Sequence, residues 1–336
     1  MLLTVVIPCY NNVSTIGGML LTLLCHGRPD QTEVVVVDDG STDHLQEYIA
    51  SLTQNLRQRY GTLSKLTVLR CEHRGASAAR NEGMRAAQGR YLWFVDADDI
   101  LYPKSIEHLI QWIEGLDHHT SLLKMGSMLL NNCHEDCIPD KAATRRVPIA
   151  QILTRKQGAL DHTTYLYLRE FLIANNIHYP EHHRVLEDST FTLRCIALTE
   201  VVEWNPTYRF YNYFEPRSSR GPWTREQQKE RIADIEAFFH SFWEIASVSS
   251  DEKHSALTSL YDYYLYLHLR ILTVKGYPWK ELKAFRHHIP SDKHLYSGNA
   301  TMHMKMMRNP ITYRLFHLLC FTILNTPLRY VVRSKR

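Results

Sequence analysis

Three carboxylates follow one short apolar run in the N-terminal third of this 336-residue chain. Residues 91–95, Tyr-Leu-Trp-Phe-Val, have the length and composition of a buried strand, and Asp96, Asp98 and Asp99 come directly after it. Crowded carboxylates are costly unless a cation neutralises them, and hard divalent cations prefer oxygen ligands. The same pattern also fits an acidic cap at the start of a helix, so the segment alone leaves both interpretations open.

Two earlier apolar runs of the chain also end in polar residues. Residues 2–7 form an apolar, β-branched run, and residues 33–37 form a second one. In a parallel sheet, ligands bind at the carboxyl ends of the strands, where such polar residues would gather. Three clusters at successive strand ends are hard to explain as helix caps alone. In chain order they comprise Pro8, Tyr10 and Asn11; Asp38 and Asp39; and Asp96, Asp98 and Asp99.

Strand and helix patterns alternate through the first hundred residues, which predicts an α/β fold with a mostly parallel central sheet flanked by helices. After Asp99 the alternation is weaker, and the chain becomes mainly helical from about residue 225. Residues 131–146 are predicted as a polar loop. The predicted strands are 2–7, 33–37, 66–69, 91–95 and 121–130, and the predicted helices are 14–24, about 43–59, 77–88, 103–116, 169–176, 187–198 and 225–275.

Composition narrows the class of protein. The net charge is only +4 and no long run of Lys or Arg occurs, so nothing indicates a nucleic-acid partner. The seven cysteines are scattered and odd in number, which favours reduced thiols over a disulfide framework. No apolar stretch reaches the ~20 residues of a membrane-spanning helix, and the first residues lack signal-peptide features, so we expect a cytoplasmic protein.

Two common nucleotide-binding motifs are absent from the sequence. There is no Gly-x-x-x-x-Gly-Lys-Ser/Thr loop, which argues against a kinase or NTPase of that class. There is no Gly-x-Gly-x-x-Gly after the first strand, which argues against a dinucleotide-binding fold. Carboxylates at a strand end are instead suited to hold Mg²⁺ or Mn²⁺ on a diphosphate, where the cation acts as a Lewis acid.

Four segments of the sequence together match one known family. In order, they are Thr4–Asn11, Val35–Asp43, Gly75–Gly83 and Phe94–Asp99. With them the chain resembles the family-two inverting glycosyltransferases with the GT-A fold, a Rossmann-like, mostly parallel sheet. The fit is best to the bacterial members that build capsular, exopolysaccharide and lipopolysaccharide chains. The clear match covers about residues 3–115, and a weaker pattern continues to about Ser219.

This resemblance implies roles for the first two strand ends. Pro8, Tyr10 and Asn11 would lie along the nucleotide. Asp39 would accept a hydrogen bond from a uracil ring, with Asp38 beside it. The sequence match therefore implies a nucleotide pocket above the first two strands.

The resemblance also implies roles for the third strand end and the helix before it. The segment from Gly75 to Asn81 would approach the ribose and the diphosphate. Asp96 would be the ribose-side acid of the Asp-x-Asp motif and a second metal ligand. Asp98 would hold Mg²⁺ or Mn²⁺, and Asp99 would face the donor sugar or the acceptor.

An inverting transfer also needs a base that takes the proton of the acceptor hydroxyl. The adjacent pair Glu187 and Asp188 resembles the Glu-Asp base motif of the family. We predict Asp188 as the base, with Glu187 as the second candidate or an acceptor-binding group. The alternative is that the pair only caps the helix that follows it.

Two basic features of the C-terminal half stay open at this point. Arg217 or the nearby Arg220 could reach the leaving diphosphate, or could be a solvated loop arginine. The basic amphipathic tail 310–336 could contact an anionic membrane surface, or could dock on its own protein. Contact of this tail with a membrane would make the protein peripheral on the inner face of the plasma membrane.

The resemblance as a whole implies a metal-dependent inverting glycosyltransferase. It would move a hexose or N-acetylhexosamine from a nucleotide sugar, with a UDP-sugar favoured, to a saccharide acceptor that is lipid-linked, in surface polysaccharide biosynthesis. Residues 1–220 would form the catalytic domain, with 1–115 as its nucleotide-sugar half and 116–220 as its acceptor half, followed by a helical region at 221–309. The alternatives are a nucleotidyltransferase and a non-catalytic module that binds a nucleotide or carbohydrate.

Overall fold

A computed structural model describes residues 1–102, 104–116, 120–126, 139–155, 158–208, 211–212, 224–274, 277 and 279–289. The chain divides into two compact units, Met1–Arg220 and Gly221–Arg336. Every strand found in the described residues belongs to the first unit. The tail 310–336 lies outside the described residues, so its membrane contact stays a prediction.

An eight-stranded mixed sheet forms the centre of the first unit. Its strands are β1 (Leu3–Cys9), β2 (Thr32–Asp38), β3 (Lys65–Arg70), β4 (Tyr91–Phe94), β6 (Leu122–Met125), β7 (Arg145–Pro148), β8 (Tyr165–Leu168) and β9 (Val201–Asn205), while β5 (Ile100–Leu101) and β10 (Tyr211–Asn212) form a separate antiparallel pair. The order in the sheet is β3-β2-β1-β4-β8-β6-β9-β7. Strands β1 to β4 pair in parallel, and β8 is antiparallel to both of its neighbours. The predicted mostly parallel sheet is confirmed.

Helices cover both faces of this sheet, as its continuous apolar strands require. They are α1 (Ile16–His26), α2 (Leu45–Tyr60), α3 (Ala76–Ala86), α4 (Ser105–Glu114), α5 (Ile149–Leu153), α6 (Arg169–Ala174) and α7 (Glu187–Ala197). Alternate residues of β2 pack against the helices on opposite faces of the sheet. Val34 and Val36 pack in the core cluster that includes α1, α2 and α4, whereas Val35 and Val37 pack against Ala79 of α3. The period-2 pattern of a strand thus fixes which side chains meet each layer.

Gly83 lets α3 lie directly against the sheet. A Cβ atom at this position would overlap Cγ1 of Val6 and would lie 3.2 Å from Cγ2 of Val37. Arg80, which is three residues before Gly83, lies on the same side of the helix. The close approach of α3 therefore brings Arg80 down to the level of the strands.

The prediction of secondary structure was wrong for three short strands of the eight-stranded sheet, and it also missed the two-residue strands β5 and β10. The residues of β8 and β9 were not predicted as strands, and β7 begins inside the predicted loop 131–146. Each has only four or five residues, and all three pair with segments that are distant in sequence. Runs this short carry no reliable periodicity, so only the tertiary pairing defines them.

The second unit is helical in its described part. It contains α8 (Arg225–Ser247), α9 (Asp251–Val274) and α10 (Trp279–His288). The N–H group of Gln227 donates to Thr224 Oγ1, and the N–H group of Thr224 donates to Gln227 Oε1, which forms a capping box at the start of α8. Phe239 and Phe242 of α8 lie edge-on to Tyr261 of α9, so these two helices pack through aromatic side chains. Within the described ranges, none of the helices has the length and apolar character needed to cross a membrane.

Candidate functional site

Three strand ends meet at one edge of the sheet because β2, β1 and β4 are parallel neighbours. The N–H group of Asn11 donates to Ser41 Oγ at 3.0 Å, which joins the first two ends directly. Cys9 lies among all three. Burial, and then the charges of Asp38, Asp96 and Asp98, raise the pKa of its thiol. The polar clusters that were predicted separately therefore surround one point.

Asp38 holds the turn after β2. Its side chain is fully buried, and its two oxygens accept from the Ser41 N–H group at 2.8 Å and from Arg70 Nη1 at 2.9 Å. Asn11, with a φ of 56°, accepts at its Oδ1 from the Thr42 N–H group at 2.8 Å. The structure thus places Asp38 as a support for the turn, with both oxygens already occupied by protein donors.

Asp39 fixes the loop between β3 and α3. Its carboxylate accepts from the N–H groups of Arg74 and Gly75, both at 2.8 Å. Gly75 adopts a φ of 96° and caps α3, a backbone conformation that suits glycine. His73 Nδ1 lies 2.8 Å from Asp39 Oδ2. The carboxylate therefore sits between the strand end and the helix that follows the next strand.

An exposed aromatic stack lies beside Asp39. The rings of Tyr10 and His73 are 4.0 Å apart and inclined by only 20°. About half of each side chain is exposed. A flat, solvent-facing pair next to a carboxylate could support a nucleobase. His73 was not predicted as a site residue. Its only signal in the sequence is its position two residues before Gly75, where the third matching segment begins.

Arg80 connects the third strand end to α7. Its buried guanidinium donates to Asp96 Oδ1 at 2.8 Å and to Glu187 Oε1 at 3.4 Å, and it lies 5.3 Å from the centre of the Tyr179 ring. Burial lowers the pKa of Arg80, but Asp96, Tyr179 and Glu187 raise it and the net shift is upward, so the group stays a cation. Sequence reasoning did not single out this residue, although it lies within the predicted segment from Gly75 to Asn81.

Asn81 is used within the protein. Its Nδ2 donates to the carbonyl of Tyr179 and to Glu181 Oε1, both at 3.0 Å, and its Oδ1 accepts from the Tyr179 N–H group at 2.9 Å. The side chain is buried. Asn81 therefore anchors the segment that leads to α7, so any effect on a ribose would be indirect.

The three carboxylates after β4 have different environments. Asp96 is paired with Arg80, and Asp99 is buried with its N–H group 3.3 Å from the carbonyl of Asp96. Burial, and then the charge of Asp96, raise the pKa of Asp98. The next helix, α4, begins at Ser105 with Lys104 as its N-cap. The alternative that Asp98 or Asp99 caps a helix is therefore wrong.

Asp98 fits a hard cation better than its two neighbours do. Burial first, and then the negative charge of Asp96, raise its pKa, and a bound divalent ion would oppose both effects by stabilising the ionised carboxylate. The charge of Asp96 is already balanced by Arg80. Within the described ranges, no group of three or more His, Cys, Asp or Glu side chains is arranged to hold a metal ion. A site with one or two carboxylates is typical of Mg²⁺, which takes its other oxygens from phosphate and water.

The pair at the start of α7 combines two opposite shifts. Burial, and then the charge of Asp188, raise the pKa of Glu187. Burial also acts to raise the pKa of Asp188, but His162, the Ser189 N–H group and Arg80 together outweigh it and the net direction is downward. Two adjacent carboxyl groups whose environments separate their pKa values can take different chemical roles. Asp188 is the one held ionised.

Both members of this pair lie in the first turn of α7, but neither is its N-cap residue. The N-cap of α7 is Leu186, with a φ of 60° and no side-chain cap bond. Asp188 Oδ1 accepts from the adjacent Ser189 N–H group at 2.6 Å, and Oδ2 faces His162. A left-handed leucine is a costly conformation that the surrounding structure must stabilise.

A cavity of about 550 Å³ lies between α3 and the segment before α7. Residues 73–77, 181–184 and Glu187 line it. His182 and His183 are part of its wall. The cavity extends from residues 73–75, the loop that Asp39 fixes, to Glu187, so one ligand could contact both ends. Arg217 lies outside the described residues, and its predicted contact with the diphosphate stays a prediction.

Comparison with known proteins gives a family match for part of the chain and a similar fold for most of it. Residues 4–124 match the sequence model described as "Glycosyl transferase family 2". The chain is 26% identical to poly(ribitol-phosphate) beta-N-acetylglucosaminyltransferase TarS of Staphylococcus aureus over 193 aligned residues. The alignment covers 57% of this chain and 32% of that protein. The chain therefore spans about a third of the length of this curated relative.

Two solved structures have similar folds. The crystal structure of S. aureus TarS 1–349 in complex with UDP-GlcNAc matches 96% of this chain and 89% of that chain, with a TM-score of 0.61 and 19% identity. Mannosyltransferase PcManGT from Pyrobaculum calidifontis, in complex with GDP-Man and Mn²⁺, matches 96% and 86%, with a TM-score of 0.51 and 16% identity. These likenesses confirm the predicted fold class.

Proposed function

We propose that this chain, whose residues 4–124 belong to glycosyl transferase family 2, transfers a sugar from a nucleotide diphosphate to a saccharide hydroxyl with inversion. The observation that carries the proposal is the Arg80 bridge. It joins Asp96, at the strand end where the nucleotide would lie, to Glu187, beside the candidate base Asp188. Donor-side and acceptor-side groups thus share one site.

The nucleotide would lie over the ends of β1 and β2. In the proposal, the Tyr10–His73 stack supports the base, and Asp39 accepts from the polar edge of a pyrimidine. Both oxygens of Asp39 already accept from backbone N–H groups. Oδ2 also lies 2.8 Å from His73 Nδ1, whereas Oδ1 has a second lone pair available and can accept from a further donor.

Asp98 would hold Mg²⁺ or Mn²⁺ together with diphosphate oxygens, with Asp96 toward the ribose or as a second ligand. When bound, the cation would neutralise the charge that develops on the leaving diphosphate. Arg80 keeps Asp96 in place. Asp99 stays buried at the end of the strand, where it would position the segment that faces the donor sugar.

Asp188 would act as the base on the acceptor side. It takes the proton of the acceptor hydroxyl while the hydroxyl oxygen forms a bond to the anomeric carbon. The bond from that carbon to the diphosphate oxygen breaks, and the diphosphate leaves with the electron pair. Attack and departure occur on opposite faces, so the configuration inverts. The low pKa of Asp188 supplies the ionised form that this step needs.

The relatives suggest the substrate class. The similar TarS structure is a complex with UDP-GlcNAc, and the curated TarS is named for transfer to poly(ribitol-phosphate). We propose a UDP-sugar as donor and a cell-surface polymer as acceptor, with a lipid-linked saccharide as the more specific expectation. A cytoplasmic location follows from the donor class, and peripheral membrane contact rests on the tail alone.

The proposal is tested by a donor screen with Mg²⁺ or Mn²⁺. We expect hydrolysis or transfer with at least one nucleotide sugar, loss of activity in Asp188→Asn, and loss of metal dependence or of activity in Asp98→Ala. Binding of nucleotide sugars without turnover would instead favour a non-catalytic module. Release of pyrophosphate from a nucleoside triphosphate would favour a nucleotidyltransferase. Turnover that is unchanged in Asp98→Ala would overturn the metal assignment.

A further inference from the structure

His162 is a buried histidine that faces the candidate base. Its side chain is only 4% exposed, and Nδ1 lies 3.6 Å from Asp188 Oδ2. Neither ring nitrogen has a hydrogen-bond partner within the described residues. Burying polar nitrogens without partners costs free energy, and most buried polar groups in proteins are paired. A histidine in this state calls for an explanation.

The backbone around His162 is held firmly. It lies in a 3₁₀ turn, His162–Thr164, whose cap Asp161 accepts from the Thr163 N–H group at 3.2 Å and from Thr163 Oγ1 at 2.7 Å. The carbonyl of His162 accepts from the Tyr167 hydroxyl at 3.2 Å. Trp93 Nε1 donates to the carbonyl of Thr163 at 2.7 Å. The turn is therefore fixed to β4 and β8, and β4 is the strand that delivers Asp96.

The ring of His162 is also constrained by its neighbours. Tyr179 lies edge-on to it, with centroids 6.0 Å apart and an interplanar angle of 89°. The charged and titratable groups around Asp188 are His162 from the turn, Arg80 from α3, Tyr179 from the preceding segment and Glu187 on its own helix. His162 is the one among them whose side chain faces Oδ2 directly.

We propose that His162 is a positioning residue whose Nδ1–H group donates to Asp188, fixing the carboxylate toward the acceptor and keeping it ionised. This inference rests on the proposed function, because it requires Asp188 to act as the base. A separation of 3.6 Å is longer than a hydrogen bond. Bonds within catalytic sites are often long in free enzymes and tighten when substrate binds. The rigid turn would hold the donor in place for that step.

The kinetic test compares His162→Phe, His162→Asn and a control. The phenylalanine keeps a ring but cannot donate, so only the Ser189 N–H group and Arg80 still oppose the effect of burial, and the pKa of Asp188 rises. We expect the acid limb of the kcat/KM profile to move to higher pH, with a loss of about 10–100-fold near neutrality, which is less than removal of the base itself. Asparagine retains a donor and should recover part of the rate.

Thr192→Val is the matched control. Thr192 lies on the same helix, and its Oγ1 is 3.1 Å from the Tyr167 hydroxyl, so the variant removes a buried polar contact without touching Asp188. It should lower thermal stability and leave the acid limb in place. If His162→Phe behaves like Thr192→Val, the role of His162 is structural only and the inference is overturned.

A second measurement separates this inference from the proposed function. The pKa of the Asp188 carboxyl can be followed by ¹³C NMR in the wild type and in His162→Phe, with Asp188→Asn to assign the signal. A rise of the pKa in His162→Phe supports the pairing even if every donor screen fails. A pKa that is the same in His162→Phe as in the wild type contradicts the inference, and the proposed function still stands if the wild type transfers sugar.

Discussion

Arg80 Nη2 lies 2.8 Å from Asp96 Oδ1, and this ion pair is the joint between the two halves of the candidate site. Arg80 is buried, whereas about a third of the Asp96 side chain is exposed. The pair therefore has one end fixed in the core and one end available to a ligand. The second contact of Arg80, to Glu187, extends the joint to the start of α7.

Replacement of Arg80 by lysine should damage this joint although the charge is kept. A single ammonium group cannot reproduce the planar fork that reaches two carboxylates. We expect Arg80→Lys to lose about 1–3 kcal/mol of stability and to raise the donor KM. Arg85→Lys, an exposed change on the same helix where Arg85 pairs with Glu82, is the control. Equal donor KM values in the two variants would contradict the bridging role.

The opposite pKa shifts of Glu187 and Asp188 predict different effects of neutralising each one. Asp188→Asn should lower kcat by about 10²–10⁴-fold, because the base is lost. Glu187→Gln removes a neighbouring negative charge, so the pKa of Asp188 should fall further and the acid limb should move to lower pH. The pH dependence of kcat/KM measures this. A larger loss in Glu187→Gln than in Asp188→Asn would reverse the assignment of the base.

The exposed Tyr10–His73 stack predicts a contribution of Tyr10 to nucleotide affinity. Stacking of a base on an aromatic ring is worth roughly 1–3 kcal/mol. Tyr10→Ala should therefore weaken UDP binding by roughly 10–100-fold in calorimetry, and Tyr10→Phe should retain most of it. Tyr60→Ala, which removes another exposed tyrosine at the end of α2, serves as the control. Unchanged affinity in Tyr10→Ala would place the base elsewhere.

Glu33 predicts how the stability of the first unit depends on pH. Its buried carboxylate accepts from Lys65, Thr4 and the Gln88 N–H group. Burial acts to raise its pKa, but these partners hold the pKa below the usual 4.5. A lowered pKa in the folded state stabilises the protein above about pH 4.5, and this contribution is lost as the pH falls through the folded value.

Glu33→Gln should therefore destabilise the protein by about 1–3 kcal/mol near neutral pH and should flatten the loss of stability on acidification. Denaturant unfolding at a series of pH values measures both effects. Glu47→Gln, at an exposed position of α2, should change little. An acid transition in Glu33→Gln that is as steep as in the wild type would contradict the argument.

Local sequence patterns were enough to predict where the strands end. They were not enough to predict the side-chain contacts that connect these ends to each other and to α7. Asp39 and Asp96 follow apolar runs that any parallel sheet would bury, so their positions could be predicted. The contact of Arg80 with Glu187 joins residues far apart in sequence and depends on how closely Gly83 lets α3 approach the sheet. His162 lies in a short turn that has no periodic pattern. Its contact with Asp188 could not be predicted, because it depends on where α7 places Asp188 in the fold.

The stereochemistry of the product shows directly whether the sugar is transferred in a single displacement with inversion. ¹H NMR of a reaction with the preferred UDP-sugar reports the anomeric configuration of the new glycosidic bond. We expect the wild type to form a product whose anomeric configuration is opposite to that of the donor. We expect Asp188→Asn to form none. A product of retained configuration, or an equal rate in Asp188→Asn, would contradict a single displacement with Asp188 as the base.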